Sequence, residues 1–248
     1  MEQRIAVVTG GMGGIGQATC QLLYQKGMRV IATYHRGGNH DSAKSWQAEQ
    51  QQAGFKFHIA YVDVSDFASC EHMIQLVETE IGPIDILINN AGITHDATCC
   101  KMTKETWDTV IGTDLNSIFY VTRAVLPNMK TRGFGRIINI SSINGQKGQY
   151  GQVNYAAAKA GMHGFTKSLA LEVAKNGITV NTISPGYVKT DMIKSVTQAI
   201  RDKILSEVPL GRFAEPDEIA RVVGFLADEQ NGYITGANIA INGGQHMC

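Results

Sequence analysis

The stretch Ile5-Ala6-Val7-Val8-Thr9-Gly10-Gly11-Met12-Gly13-Gly14-Ile15-Gly16 passes from an apolar run into five glycines within seven positions. Gln17–Gln25 follows with apolar residues at helical spacing. A buried strand that turns through glycines into a helix is the opening of a dinucleotide-binding βαβ unit. Gly10 permits the tight turn, Gly14 lets backbone N–H groups approach a pyrophosphate, and Gly16 lets the helix pack closely on the strand. The expected cofactor contacts of this loop are Gly10, Met12, Gly13, Gly14, Ile15 and Gly16.

The same alternation continues outward. Candidate strands are Ile5–Val8, Arg29–Thr33, Phe57–Val62, Ile84–Asn89, Gly135–Ile140, Thr179–Ser184 and Asn238–Ile241. Helical patterns fall between most of them, as at Gln17–Gln25, Trp107–Met129, Tyr155–Ala174 and Pro216–Ala227. This order predicts an α/β fold: one Rossmann-type domain over residues 1–248, a doubly wound parallel sheet of about seven strands with helices on both faces. His35–Ser42 reads as a polar loop, and Val188–Gly211 as a looser helical insertion placed to cover the substrate. Ligands of such sheets bind beyond the strands' carboxyl ends.

Composition narrows the function. The 248 residues are 44% hydrophobic, with 22 basic and 22 acidic side chains and no basic run, so nucleic acid is not an expected partner. The sequence carries no leader pattern and no apolar stretch of about 20 residues, so the expectation is a cytoplasmic protein that does not enter a membrane. Of the five cysteines, adjacent Cys99 and Cys100 suit neither an ordinary disulfide nor a zinc site, and no metal is expected.

The end of the second strand selects the dinucleotide. An acid there would bind the ribose of NAD, whereas an arginine pairs with the 2′-phosphate of NADP. Thr33-Tyr34-His35-Arg36-Gly37-Gly38 contains no acid, so the reading is NADPH with Arg36 on the phosphate. Asp63 and Val64 close the third strand; Asn90, Ala91 and Gly92 close the fourth. Both lie where the cofactor would pass.

Ser142 follows the fifth strand, and Tyr155 and Lys159 stand four apart, on one face of a helix. An ammonium beside a phenol is expected to lower its ordinary value of about 10. Ser142 can hydrogen-bond a carbonyl oxygen while Tyr155 moves a proton, which points to carbonyl/alcohol redox chemistry.

With TGGMGGIG (Thr9–Gly16), NNAG (Asn89–Gly92), Ser142, YAAAK (Tyr155–Lys159) and PGYVKT (Pro185–Thr190), the chain resembles the short-chain dehydrogenase/reductases. The resemblance runs from Arg4 to the closing Asn242–Gly244, essentially the whole chain. It implies hydride transfer to a carbonyl and a homotetramer. It also implies that Lys159 holds the nicotinamide ribose, and that Pro185, Gly186, Val188 and Thr190 border the nicotinamide. Within the family, INNAGITHDAT, NISSINGQKGQYGQVNYAAAKAGMHGFT and ISPGYVKTDM resemble the branch that reduces acetoacetyl-CoA with NADPH for polyhydroxybutyrate. That likeness implies an acyl-CoA, a β-ketoacyl thioester, as substrate. It places Asp96, Gln149, Tyr150, Gln152 and Tyr187 beside Ser142 around the acyl group.

Two positions depart from the pattern. Asp114 stands where the family usually has an Asn that helps hold a proton-relay water; a carboxylate still accepts, cannot donate, and favours Lys159 as an ammonium. Thr197 stands where that branch carries a base for the CoA phosphates, leaving Lys194 nearby. The rival reading within the family is a 3-oxoacyl-ACP reductase, for which Lys130, Arg132 and Lys175 offer a basic docking face. A non-catalytic NADPH sensor is the rival outside it, and has no use for Ser142, Tyr155 and Lys159 together.

Overall fold

Short β-branched runs are favoured as strands where both faces are covered, and Ile5–Val8, Ile86–Asn89, Gly135–Ile140 and Ile178–Pro185 are buried along their whole length. A computed structural model of the protein describes residues 3–35, 40–190 and 197–247. Seven strands form one parallel sheet: β1 (Ile5–Val8), β2 (Arg29–Tyr34), β3 (His58–Tyr61), β4 (Ile86–Asn89), β5 (Gly135–Ile140), β6 (Ile178–Pro185) and β7 (Asn238–Ile241), in the order β3-β2-β1-β4-β5-β6-β7. The expected architecture is present, with strand bounds shifted by at most two residues at either end.

Side chains alternate between the faces along each strand. Ile31, Val7, Leu87, Ile137 and Val180 lie in register across the sheet and belong to one core. Ala32, Val8, Ile88 and Ile138, one residue on, belong to the other. The first core is closed by α3 (Phe67–Glu80), α5 (Ser117–Arg132) and α7 (Val153–Val173) through Met73, Val125 and Val173. The second is closed by α1 (Gly14–Gln25) through Cys20 and Leu23, with α2 (His40–Gln52) contributing Trp46 at its margin. The remaining helices are α4 (Lys104–Ile111), α6 (Asn144–Lys147), α8 (Gln198–Ser206) and α9 (Pro216–Leu226), the last adding Ile219 and Val223 to the second core. Among the described residues no helix is long and apolar enough to cross a membrane.

The structure corrects two expectations of local structure. The loop expected over His35–Ser42 gives way to α2 at His40; only Ala43 and Gln50 of that helix are buried, so it lacks a readable apolar stripe. The helix expected over Trp107–Met129 is interrupted by a wide π-type turn at Gly112–Asn116, and Asp114 lies within it, fully buried. Arg36, Lys194 and residues 191–196 of the expected insertion lie outside the described residues; α8 is the part of that insertion in view.

Strand order reverses at β1, whose neighbours are β2 and β4, so a crevice opens beyond the carboxyl ends of β1 and β4. A buried polar chain ties the sheet to its helices below this crevice. Asn89 donates to Asn139 at 2.8 Å, Asn139 to Thr166 at 2.9 Å, and Thr166 and Thr182 share a proton at 2.7 Å. Each of these strand polar groups is satisfied, which keeps the sheet edge beneath the site stiff.

Candidate active site

Glycine shapes the floor of the crevice. Gly10 has φ +60°, a conformation that L side chains rarely adopt. Asn90 donates through Nδ2 to the carbonyls of Thr9 and Gly10 at 2.9 and 3.1 Å, and Thr9 Oγ1 accepts from the Asn90 and Ala91 amides. The loop after β1 is thereby clamped to the loop after β4. Gly13 caps α1 without a side chain, its own amide donating to the Gly10 carbonyl at 3.2 Å, so the exposed first turn from Gly14 onward is left for an anion. A Cβ on Gly14 would fall 2.7 Å from Thr190 Cγ2, which brings the Pro185–Thr190 segment against the same loop.

Gly16 is the tightest point. A Cβ there would lie 2.3 Å from the Gly10 carbonyl oxygen and 2.8 Å from Asn90 Nδ2. Gly16→Ala is expected to cost roughly 1–3 kcal/mol, the range for overpacking. It should also weaken dinucleotide binding by displacing the Gly10 turn. Thermal melts and a cofactor-fluorescence titration check this; an unchanged melting temperature with wild-type affinity would refute it.

Beyond the carboxyl end of β3, Asp63 Oδ1 accepts from the Ser65 amide and hydroxyl at 2.9 and 2.6 Å, and His35 Nε2 lies 3.5 Å from Oδ2. Partial burial alone would raise the Asp63 carboxyl, but the Ser65 hydrogen bonds and His35 hold it below its ordinary value. Val64 beside it is buried.

Ser142, Tyr155 and Lys159 converge at the carboxyl edge of β5. The Ser142 hydroxyl accepts from the Asn144 amide at 3.1 Å and reaches the Tyr155 phenol. Lys159 Nζ donates to the Ile140 carbonyl at 3.0 Å and stands 5.4 Å from the Tyr155 ring centre. It also lies 3.1 Å from Asp114 Oδ2, while Asp114 Oδ1 accepts from the Ile93 amide at 2.9 Å. Both side chains of this pair are almost wholly buried. Gly92 roofs them: a Cβ there would meet Asp114 Oδ2 at 2.8 Å and Lys159 Nζ at 3.2 Å.

The electrostatics correct the expectation drawn from spacing. Burial alone would lower the Lys159 ammonium, but Asp114 reverses this, and Lys159 titrates above its ordinary value. The Tyr155 phenol is raised, not lowered. Burial raises it most; Lys159 and the Ser142 hydroxyl pull it down, and Asp114 and Asp96 push it back up. The sequence shows the ammonium beside the tyrosine and, through the family pattern, the Asp114 carboxylate that favours it; the burial of the phenol and the push of Asp114 on it are properties of the folded site.

The expected substrate residues lie around this cluster. Gln152 Nε2 is 3.0 Å from each Asp96 oxygen, and Asn144 Nδ2 donates to Gln152 Oε1 at 2.9 Å. Gln149 sits one turn earlier, its carbonyl accepting from the Gln152 amide at 3.1 Å. Tyr150 is 87% exposed. Tyr187 is half-buried, and its phenol is raised by burial first, then by Glu207, Asp96 and Tyr155 nearby. The Ile143 amide donates to the Pro185 carbonyl at 2.8 Å and the Gly186 amide to Ile241 at 2.8 Å, fixing that segment beside Ser142; Val188 is buried under it.

Several supporting residues were not expected. Ser141 donates to the Lys159 carbonyl at 2.8 Å and shares a hydrogen bond with His163 at 3.1 Å, and His163 faces Ser184 at 3.3 Å. Asn144 and Thr9 carry no signal of their own in the sequence, because Asn and Thr in loops usually serve turns. The nearness of Asn144 to Ser142 was the one available signal.

A family model described as Enoyl-(Acyl carrier protein) reductase matches residues 10–246. Among curated proteins, an acetoacetyl-CoA reductase of Cupriavidus necator is 51% identical, covering 100% of both chains. Nodulation protein G of Azospirillum brasilense is 53% identical over 98% of each. A 3-oxoacyl-[acyl-carrier-protein] reductase of Vibrio harveyi is 43% identical over 100% of this chain and 99% of its own. Likeness of that depth along the whole length, on a sheet of this order, makes the chain a member of the short-chain dehydrogenase/reductase family of oxidoreductases.

Proposed function

We propose that this chain reduces acetoacetyl-CoA to (R)-3-hydroxybutanoyl-CoA with NADPH, the step that supplies polyhydroxybutyrate synthesis. The observation that carries the reading is the meeting of Ser142, Tyr155 and Lys159 beside the uncapped glycine turn of α1. The residues present fit a dinucleotide: the first turn of α1 from Gly14 offers amides to a pyrophosphate over the turn that Gly10, Gly11 and Gly13 close through their own hydrogen bonds, Asp63 and Val64 flank the adenine, and Asn90–Gly92 line the path to Lys159. Arg36 is assigned to the 2′-phosphate, and Pro185, Gly186, Val188 and Thr190 to the nicotinamide border.

When bound, the reduced nicotinamide supplies the hydride. Ser142 donates to the keto oxygen, its own oxygen lone pair being held by the Asn144 amide. Tyr155 delivers the proton to the developing alkoxide, and its raised value keeps it protonated at neutral pH. Lys159, an ammonium held by Asp114, positions the ribose and stabilises the phenolate left behind. Asp96, Gln149, Tyr150, Gln152 and Tyr187 hold the acyl thioester.

CoA is preferred over a carrier protein for two reasons. Identity is higher to the acetoacetyl-CoA reductase than to the carrier-protein enzyme, 51% against 43%. Arg132, part of the basic face a carrier protein would need, is instead bound to Asp85 and the Ile84 carbonyl. A cytoplasmic homotetramer belongs to the same reading; Phe119 on α5 and Leu171 on α7, 48% and 85% exposed, are apolar surface that subunit packing would cover.

The test is a substrate panel with both nicotinamides. Oxidation of NADPH with acetoacetyl-CoA is expected at a kcat/KM about tenfold or more above the same acyl group on carrier protein, a difference of about 1.4 kcal/mol. No turnover on any β-ketoacyl thioester, or preference for the carrier-protein ester, would overturn the proposal.

A further inference from the structure

The side chains of Asn144, Gln152 and Asp96 form one chain of hydrogen bonds running from the Ser142 loop to the loop after β4. Its direction is set by chemistry. A carboxylate only accepts, so the amide end facing Asp96 must be the NH2 of Gln152. The Gln152 carbonyl then faces Asn144, which must present its own NH2. Reversing either carboxamide would set oxygen against oxygen. Asn144 Oδ1 bears the consequence: it is buried and finds no hydrogen-bond partner among the described residues.

Gln152 Nε2 is equidistant from the two Asp96 oxygens, 3.0 Å from each. One N–H therefore lies between them and the second is spare. Gln152 is also pinned at its backbone, where it pairs with Ala97 beside Asp96. Asn144 reaches Ser142 differently, through its main-chain amide. The side chain of residue 144 thus acts on Gln152, while its backbone acts on Ser142.

We propose that Asn144 is a positioning residue that, with Asp96, locks the Gln152 carboxamide so that a donor N–H, and not its carbonyl, meets the acyl thioester oxygen. The proposal rests on the reading above that Gln152 lies against a β-ketoacyl thioester. It assigns Asn144 an effect on KM and leaves kcat to the Ser142 loop.

Three variants test it by steady-state kinetics and thermal melts. Asn144→Ala removes one anchor; KM for acetoacetyl-CoA is expected to rise about tenfold, the worth of roughly one hydrogen bond, with kcat within about threefold of wild type. Asn144→Asp sets Gln152 between two acceptor-only groups, lowering the melting temperature as well. Asn144→Asp combined with Asp96→Asn rebuilds a satisfied chain that runs the other way. Its melting temperature should return to that of Asp96→Asn alone, while its KM stays about tenfold above that variant, because the spare N–H has moved. A merely structural Asn144 would restore both together. Recovery of KM in the double variant, or a wild-type KM in Asn144→Ala, overturns the assignment; should the double variant not fold, Asn144→Ala decides alone. A wild-type enzyme silent on every β-ketoacyl thioester would instead overturn the functional reading on which this rests.

Discussion

Tyr155→Phe is expected to bind NADPH as the wild type does and to lose reduction by roughly 10²–10⁴-fold in kcat, the range that proton transfer by a positioned side chain contributes. The substitution removes one oxygen and keeps the ring. Lys159 is held independently of that oxygen, by Asp114 at 3.1 Å and the Ile140 carbonyl at 3.0 Å, so the ribose site should stay intact. Ser142 likewise keeps its hydrogen bond from the Asn144 amide. The loss should therefore fall on kcat, with cofactor fluorescence and melting temperature near wild type. The wild-type pH profile carries the same signature. Reduction needs the protonated phenol, and Tyr155 lies above its ordinary value, so activity should hold across neutral pH and fall only in the alkaline range. Retention of more than about a tenth of wild-type turnover by Tyr155→Phe would remove Tyr155 from the role of acid.

The fold was legible because its signals are local. Ile5–Val8 is an apolar run bounded by Thr9 and Gly10, and a run with both faces covered reads the same way in sequence as in space. Gly135–Ile140 and Asn238–Ile241 are bounded as sharply. The helix α2 was less visible, since its polar sequence buries only Ala43 and Gln50 and packs Trp46 against the core at its margin. Tyr155 and Lys159 declare their nearness by spacing alone. The Asp114–Lys159 contact joins residues 45 positions apart through a π-type turn that no apolar period announces. The direction of the Tyr155 shift depends on that contact and on burial, both properties of the assembled site. Asn144 shows the same limit: its residue type suggests a turn, and only its two partners reveal another task.

Removing the charge at residue 114 separates two effects that the wild type combines. Asp114→Ala leaves the Lys159 ammonium buried without its counter-charge, a change that costs roughly 3–5 kcal/mol when one partner of a buried pair is deleted. The sign of its pH dependence follows from Lys159. Its folded value is raised, so the pair contributes stability below the unfolded lysine value of about 10.4 and loses it as pH climbs through the folded value. The stability gap between wild type and Asp114→Ala should accordingly be full at pH 7 and narrow in the alkaline range. Asp114→Asn keeps the shape and an acceptor for the Ile93 amide, which Asp114 now meets at 2.9 Å, and removes only the charge. Asp114 raises both Lys159 and Tyr155, so both should titrate lower in Asp114→Asn. Reduction, which needs the phenol, would lose activity at a lower pH than in wild type. Alcohol oxidation, which needs the phenolate, would gain activity at a lower pH. Opposite effects on the two directions at one pH are not produced by simple loss of folded enzyme, which lowers both. Forward and reverse pH–rate profiles of Asp114→Asn beside wild type make the measurement; coincident profiles would show that the buried carboxylate does not set the proton affinity of Tyr155.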